Sequence, residues 1–117
     1  MGRLSTHVLD TAHGCPAAGM RVTLHRLNGD HAELIKRVTL NADGRADGPL
    51  LEGESMAVGT WRLSFEAADY FRARGVVLPE PPFVGTVHLD FGIADVQGHY
   101  HVPLLVSPWS WSTYRGS

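Results

Sequence analysis

Apolar and polar residues alternate along much of this chain, and this period of two most restricts how the chain can fold. In residues 61–66, Trp61, Leu63 and Phe65 are apolar and the residues between them are polar. Residues 20–25 and 86–91 repeat the pattern. Successive side chains of a strand point to opposite faces of its sheet, so the alternation is typical of strands with one buried face. Glycine, proline, asparagine or aspartate interrupts it at short intervals, which predicts a protein of short strands and turns.

Turns and one short helix complete the predicted architecture. Residues 28–30, Asn-Gly-Asp, predict a hairpin that leads into a strand around 34–40, because Asn-Gly favours the positive φ angles of tight turns. One helix is predicted over 69–74, with Asp69 as its cap and Gly75 after its end. Seven or eight short strands and this helix predict an all-β fold, a two-sheet β-sandwich.

Length, charge and cysteine content exclude several classes of protein. A chain of 117 residues, 44% of them hydrophobic, fits one domain over residues 1–117 with one core. The formal charge of −2 provides no basic field for a phosphate backbone or an anionic bilayer, so we expect no nucleic-acid and no membrane partner. The single cysteine, Cys15, cannot form an internal disulfide, and the first ten residues contain no apolar signal core. We therefore expect a cytoplasmic protein.

The stretch HYHVPLLVSPWSWSTYRGS, residues 99–117, concentrates histidines, aromatics and an arginine at a chain end, where order is usually lowest. In residues 100–106 the even positions are the more apolar, and they are predicted to face the core. His99 and His101 then share the outward face. Near the start of the chain, His7 alternates with Thr6 and Val8 and is likewise predicted to point away from the core. Several imidazoles should thus project from the outside of the sandwich.

Three further features leave more than one interpretation open. The spacing of His99 and His101 suits a metal site, a shared proton network or an ordinary polar face. Arg45 follows the turn of residues 41–44, a position that by itself is more typical of a solvated arginine than of a functional one. The aromatic residues of the final segment are expected in the core or in an interface: Trp109, Trp111 and Tyr114.

Several of these features lie in segments that resemble one protein family over nearly the whole chain. In order, the segments are Ser5-Thr6-His7-Val8-Leu9-Asp10, Gly14-Cys15-Pro16-Ala17, Asp43-Gly44-Arg45, Asp69-Tyr70-Phe71, His99-Tyr100-His101-Val102-Pro103-Leu104-Leu105 and Tyr114-Arg115-Gly116-Ser117. The chain resembles the 5-hydroxyisourate hydrolases, the transthyretin-like enzymes of urate breakdown. The terminal Tyr-Arg-Gly-Ser is the most discriminating segment, because it separates the enzymes from the hormone-carrying transthyretins of the same fold.

The resemblance implies a fold, an assembly and a set of site residues. The implied fold is a transthyretin-like β-sandwich of about eight strands with one short helix, and the implied assembly is a homotetramer with its sites where subunits meet. The implied catalytic residues are His7, Arg45 and His101. The implied substrate-binding residues are His7, Arg45, Tyr114 and Ser117, and the implied supporting residues are His99, Ser112 and Arg115.

The reaction implied is hydrolysis of a ring amide in 5-hydroxyisourate to give 2-oxo-4-hydroxy-4-carboxy-5-ureidoimidazoline, with no cofactor and no metal. A neutral imidazole, whose ordinary pKa is about 6.5, can take a proton from the attacking water. We therefore expect His7 and His101 to activate water and shuttle protons, either of them being the base. Arg45 is expected to grip the substrate's oxygens and to stabilise the charge that develops on the attacked carbonyl.

Two alternatives use the same residues. A transthyretin-like carrier would bind an aromatic ligand without turnover, and its affinity would survive loss of the histidines. A zinc hydrolase would use His7, His99 and His101 as three nitrogen ligands and keep a fourth position open for water. Metal analysis and activity in the presence of a chelator separate the second alternative from metal-free hydrolysis.

Overall fold

Two β-sheets account for most of the structure, a computed structural model that describes residues 1–116. The described part of the chain forms nine strands, one α-helix and a 3₁₀ turn at Gly53–Ser55. The strands are β1 (Arg3–Asp10), β2 (Cys15–Pro16), β3 (Arg21–Asn28), β4 (His31–Thr39), β5 (Leu51–Glu52), β6 (Gly59–Glu66), β7 (Thr86–Ile93), β8 (His99–Val106) and β9 (Trp111–Thr113). The helix, α1, spans Ala67–Ala73.

The strand order joins the first and last parts of the chain. One sheet has the order β2-β1-β8-β9, with β5 also paired to β1, and the other has the order β4-β3-β6-β7. Strands β1 and β8 are parallel, from Arg3 opposite His99 to Asp10 opposite Val106. The predicted all-β sandwich with one helix is confirmed, and three of its nine described strands are only two or three residues long.

The core lies between the two sheets and contains the residues that the alternation assigned to it. Trp61, Leu63 and Phe65 of β6 are buried, as are the even-numbered residues of β8 from Tyr100 to Val106. Burying each large apolar side chain stabilises the fold by about 1.5–3 kcal/mol. The faces predicted for these strands are therefore confirmed. The odd-numbered residues of β1 and the two histidines of β8 lie outside the core.

The predicted hairpin is confirmed, but its second strand begins earlier than expected. Strand β3 ends at Asn28 and β4 begins at His31, which pair across a two-residue loop. Gly29 in this loop has φ +59°, the positive angle that an Asn-Gly turn supplies. Such a short loop brings the strands together at once, so pairing starts three residues before residue 34.

The start of the helix was predicted wrongly. Strand β6 runs into α1 with no intervening loop, and Glu66 precedes the first helical residue, Ala67. Asp69 therefore lies in the first turn instead of capping it, where a carboxylate still suits the positive end of the helix dipole. The predicted end is confirmed: Gly75 follows the helix with φ +85°. Within residues 1–116, no helix is long and apolar enough to cross a membrane.

A buried carboxylate fixes the end of β1. Asp10 is fully buried and accepts hydrogen bonds from the Tyr70 hydroxyl at 2.8 Å, from His13 Nδ1 at 2.6 Å and from the His13 backbone at 3.0 Å. Burial by itself raises the pKa of Asp10, but the hydrogen bonds from Tyr70 and His13 outweigh it, so that this pKa lies below its ordinary value. The ionised carboxylate thereby ties β1 to helix α1.

Candidate active site

The parallel pairing of β1 with β8 places two rows of polar side chains next to each other on the outer face of their sheet. Arg3 is opposite His99, and Ser5 is opposite His101. His7 follows in the same row of β1, two residues further along. Adjacent strands lie about 4.8 Å apart, so facing side chains in these rows are within contact distance. The predicted outward orientation of His7, His99 and His101 is confirmed, since each is half-buried or exposed beside a buried neighbour.

A tight turn brings Arg45 to this face. The Val8 backbone N–H donates to the Gly44 carbonyl at 2.9 Å, and His7 and Arg45 form an isolated antiparallel bridge. Gly44 has φ +73°, and a Cβ there would lie 2.6 Å from the Val8 carbonyl oxygen. The Asn41 side chain supports the turn by accepting from the backbone N–H of Arg45 at 3.2 Å. The turn is therefore pressed against β1, and Arg45 leaves it next to His7.

Together, β1, β8 and the turn that carries Arg45 line a groove of about 300 Å³ on the outer face of the sheet. Its lining consists of Arg3, Ser5, Arg45, His99, Tyr100 and His101. Two guanidinium groups and two imidazoles meet there, and no carboxylate is present among the lining residues in the described part of the chain. Such a groove favours a small ligand that is rich in oxygen or negatively charged.

The imidazole of His101 is held in a defined position at this groove. Its Nδ1 lies 2.8 Å from the Ser5 hydroxyl oxygen, across the parallel strand pair. Burial lowers the pKa of His101, and the positive charge of Arg45 and the neighbouring His7 lower it further. His101 is therefore neutral at neutral pH, the form in which an imidazole accepts a proton.

The final segment is bound along β8 instead of fraying. The Gly116 N–H donates to the His101 carbonyl at 2.7 Å, and the Thr113 hydroxyl donates to the Pro103 carbonyl at 2.7 Å. Arg115 donates to the His99 carbonyl at 3.2 Å, and its guanidinium carbon lies 4.2 Å from the centre of the Tyr100 ring. Backbone pairing and this cation–π contact hold residues 113–116 against the strand that carries His101.

The structure brings together only some of the residues proposed from the sequence. His99, His101 and Arg45 line the groove, and His7 joins them through its bridge to Arg45. Tyr114 is 62% exposed and lines, with Arg115, a separate and mainly apolar hollow of about 260 Å³ between the strands β7 and β8.

The other proposed positions lie further along the chain. Ser112 is exposed and pairs with Leu105, four residues along β8 from His101. Ser117 lies outside the described residues. The functional roles assigned to all these residues stay predictions. In a single chain Trp109, Trp111 and Tyr114 are not core residues, because they are exposed by 60%, 43% and 62%.

Sequence reasoning missed three residues of the groove: Tyr100, which was assigned to the core and is indeed buried, and the two β1 residues Arg3 and Ser5. The signal was available, since both lie in the odd-numbered row of β1 that the alternation already placed outward together with His7. What the alternation does not contain is the register between β1 and β8, which determines that Ser5, and not His7, is opposite His101. As for a zinc site on His7, His99 and His101, residues 1–116 contain no group of three histidine, cysteine, aspartate or glutamate side chains placed to hold a metal ion.

The described chain is a sandwich of a five-stranded and a four-stranded sheet, with histidines and arginines on the outer face of β1 and β8. This combination defines a small transthyretin-like domain. Residues 4–116 match the model of the HIUase/Transthyretin family, and the chain belongs to this family. A protein of Rhizobium meliloti named 5-hydroxyisourate hydrolase 2 is 60% identical over 116 residues, which cover 99% of this chain and 97% of the relative.

Solved structures agree with the fold. The 5-hydroxyisourate hydrolase of Klebsiella pneumoniae superimposes with a TM-score of 0.82 at 34% identity, over 100% of both chains. Sea bream transthyretin, solved in complex with thyroxine, superimposes with a TM-score of 0.85 at 25% identity, over 97% of this chain and 94% of that one. The predicted transthyretin-like fold is confirmed.

Proposed function

We propose that this chain is a hydrolase that opens a ring amide of 5-hydroxyisourate, a step of urate degradation. The observation that carries the proposal is that Arg45 and His101, from distant segments, line one groove on the outer face of the sheet, and that His7 is bridged to Arg45 beside it. The 60% identity to the Rhizobium meliloti hydrolase supports the same substrate.

The chemistry requires a proton acceptor and a group that stabilises negative charge. The oxygen of water forms a bond to the ring carbonyl carbon and loses a proton, and negative charge develops on the carbonyl oxygen. When the C–N bond breaks, the nitrogen takes a proton and becomes part of the ureido group of the product. The new carboxylic acid ionises at neutral pH. A well-placed base contributes on the order of 10²- to 10⁴-fold to such a reaction.

The geometry suggests a role for each of the three residues. His101 is the base, because its pKa is lowered by burial, by Arg45 and by His7, which keeps it neutral. Arg45 binds the carbonyl oxygen and stabilises the charge that develops there. His7, which is bridged to Arg45, is assigned the return of a proton to the leaving nitrogen. Water and the substrate supply the other reacting atoms, and the proposal includes no cofactor and no metal.

The remaining predicted residues act around this centre in the proposal. Tyr114 and Ser117 bind the flat substrate ring, and Ser112, His99 and Arg115 support the wall of the site. In one chain Tyr114 faces a different hollow, so its contact with substrate requires a second subunit. The proposal therefore includes a homotetramer with sites at subunit interfaces, formed by a single domain over residues 1–117, in the cytoplasm.

The surface of one chain supports this assembly. The groove is open on its outer side, and a dry, walled site requires a cover. Apolar side chains of the same sheet and of the segment around β9 lie exposed in one chain: Leu9, Trp109, Trp111 and Tyr114. Exposed large apolar residues are typical of a face that another subunit covers.

The test is the loss of ultraviolet absorbance of freshly prepared 5-hydroxyisourate. We expect the purified chain to accelerate this loss, and His7→Asn, Arg45→Gln or His101→Asn to reduce the rate, His101→Asn by on the order of 10²-fold or more. His31→Asn and Arg37→Gln are matched controls, because both residues are exposed on β4 in the other sheet. Full activity in all three site variants would overturn the site assignment.

A further inference from the structure

The ring of His101 is held from two sides by residues that have no assigned role. On one side, the Ser5 hydroxyl oxygen lies 2.8 Å from Nδ1. On the other side, Gly116 packs so closely that a Cβ built on it would lie 2.7 Å from His101 Cδ2 and 3.3 Å from Cγ. The Gly116 N–H also donates to the His101 carbonyl at 2.7 Å, so the backbones are fixed at this contact.

The free nitrogen of the ring is then Nε2. In residues 1–116 the ring of His101 has Ser5 as its hydrogen-bond partner at Nδ1, and Nε2 is not among the atoms buried without a partner. Among the contacts of the described residues, Nε2 is therefore the ring nitrogen left for a ligand in the groove, while the Cδ2 edge is covered by Gly116.

We infer that Ser5 and Gly116 are positioning residues that hold the His101 imidazole so that Nε2, and not Nδ1, exchanges the proton with water. The effect on turnover rests on the proposed function, whereas the position of the ring proton does not.

The hydroxyl group of Ser5 suits this task because its oxygen accepts a hydrogen bond from Nδ1–H in both states of the ring. When His101 is neutral, Nδ1–H donates to Ser5 and Nε2 has a free lone pair. When Nε2 has taken a proton from water, Nδ1–H still donates to Ser5, and the ring does not have to turn. Among residues 1–116, the titratable and charged groups that face the ring carry positive or no charge: Arg45 from the turn, His7 and Arg3 from β1, and His99 from β8.

The size of Gly116 matters for the same reason. Any larger residue would push on the Cδ2 edge and turn Nε2 away from the groove, or would lift the final segment off β8. The glycine is thus required by the close approach of backbone to a catalytic side chain.

The first experiment locates the ring proton by two-bond ¹H–¹⁵N correlation spectra of the full-length protein labelled at histidine. We expect the Nδ1–H form for His101 in the native protein and a mixture of both forms in Ser5→Ala, with kcat reduced about 10-fold. Ser5→Thr, which keeps a hydroxyl group, should restore both. The Nε2–H form in the native protein, or an unchanged spectrum and kcat in Ser5→Ala, would overturn the inference.

The fold provides a matched control for the hydrogen bond. Ser64 and His88 Nδ1 form the same kind of pair at 2.9 Å, but on the other sheet. Ser64→Ala is expected to leave the His101 spectrum and kcat unchanged. If Ser64→Ala lowered kcat as much as Ser5→Ala, the loss would reflect general destabilisation and the inference would fail.

The second experiment tests Gly116. We expect Gly116→Ala to reduce kcat about 10-fold and to shift the His101 resonances, with only a small decrease in the urea midpoint of unfolding. Gly85→Ala is the control, because a Cβ at Gly85 meets no atom within 4 Å. A kcat equal to that of the wild type in Gly116→Ala would show that Gly116 does not position the ring of His101. If the native protein does not hydrolyse 5-hydroxyisourate but shows the Nδ1–H form, the proposed function fails and the positioning of the ring stands.

Discussion

Within the described part of the chain, the charged groups that act on the His101 imidazole are Arg45 and His7, and no carboxylate is among them. Burial lowers the pKa of His101, and Arg45 and His7 lower it further. The neutral form is the active one if His101 is the base, so activity increases as the pH rises through this pKa. We therefore expect the acidic limb of the profile of kcat/KM against pH to have its midpoint below the ordinary value of about 6.5.

Arg45→Gln tests the cause of this shift. Removing the guanidinium removes a repulsion that disfavours protonated His101, so the midpoint should move up towards 6.5. The titration of the His101 Cε1–H resonance measures this midpoint without any need for turnover. Arg37→Gln, on exposed β4, should leave it in place. An unchanged midpoint in Arg45→Gln would show that the two groups do not interact.

Asp10 gives a second prediction at the level of single side chains. Tyr70→Phe removes a hydroxyl that donates to a fully buried, ionised carboxylate, and we expect unfolding to cost about 2 kcal/mol less. Because the pKa of Asp10 is lower in the folded state, its stabilisation is complete above pH about 3.9 and is lost as the pH falls through the lower, folded value. Urea unfolding at pH 7 measures the difference. Tyr114→Phe, at an exposed tyrosine, should change stability little.

Between strands, the turn at Gly44 couples Arg45 to β1. Gly44→Ala adds a Cβ that would lie 2.6 Å from the Val8 carbonyl, in a residue with φ +73°. Gly29→Ala is matched to it, because Gly29 also has a positive φ, +59°, but a Cβ there meets no atom within 4 Å. We expect both variants to lose about 1 kcal/mol from backbone strain, and Gly44→Ala to lose more stability and most of its activity. Urea unfolding and the hydrolysis rate report the two effects, and equal behaviour would contradict the coupling.

The final segment provides a similar pair of variants. Arg115→Ala removes a cation–π contact with Tyr100 and a hydrogen bond to His99 that hold the segment on β8. Arg26→Ala removes a cation–π contact with Trp61, at 5.4 Å, in the other sheet. Each should cost about 0.5–1 kcal/mol of stability. Only Arg115→Ala is expected to lower kcat, and an equal loss of kcat in both would mean that the segment does not support the site.

How much the sequence can predict differs between the faces of a strand and the contacts between strands. Alternation identified which side of β6 and β8 faces the core, because each strand's own sequence determines which of its two faces is apolar. The pairing of Ser5 with His101 depends on the register of two strands more than 90 residues apart, which no local pattern contains. The start of α1 was missed because the prediction relied on a capping residue, which usually marks a loop before a helix. Here β6 ends at Glu66 and α1 begins at Ala67, with no loop between them.

For the molecule as a whole, assembly is the main prediction. The open groove and the exposed aromatics around β9 lead us to expect a homotetramer in sedimentation equilibrium. Trp111→Glu, at a residue 43% exposed in one chain, should weaken the assembly and the activity together, because burying an unpaired charge is costly. Val77→Glu is the control for an added charge, because Val77 follows α1 in the sequence and is 95% exposed. A fully active monomer would contradict sites shared between subunits.

The parallel pairing of β1 with β8 also bears on how the protein is made. The residues of β1 are synthesised before their partners in β8, His99–Val106, each of which follows 96 residues later. Long-range pairing of this kind forms slowly and only when both strands are present. A nascent chain in which residues 99–116 have not yet left the exit tunnel therefore exposes Ser5 and His7 without their partner strand, and the groove can form only once these residues have emerged.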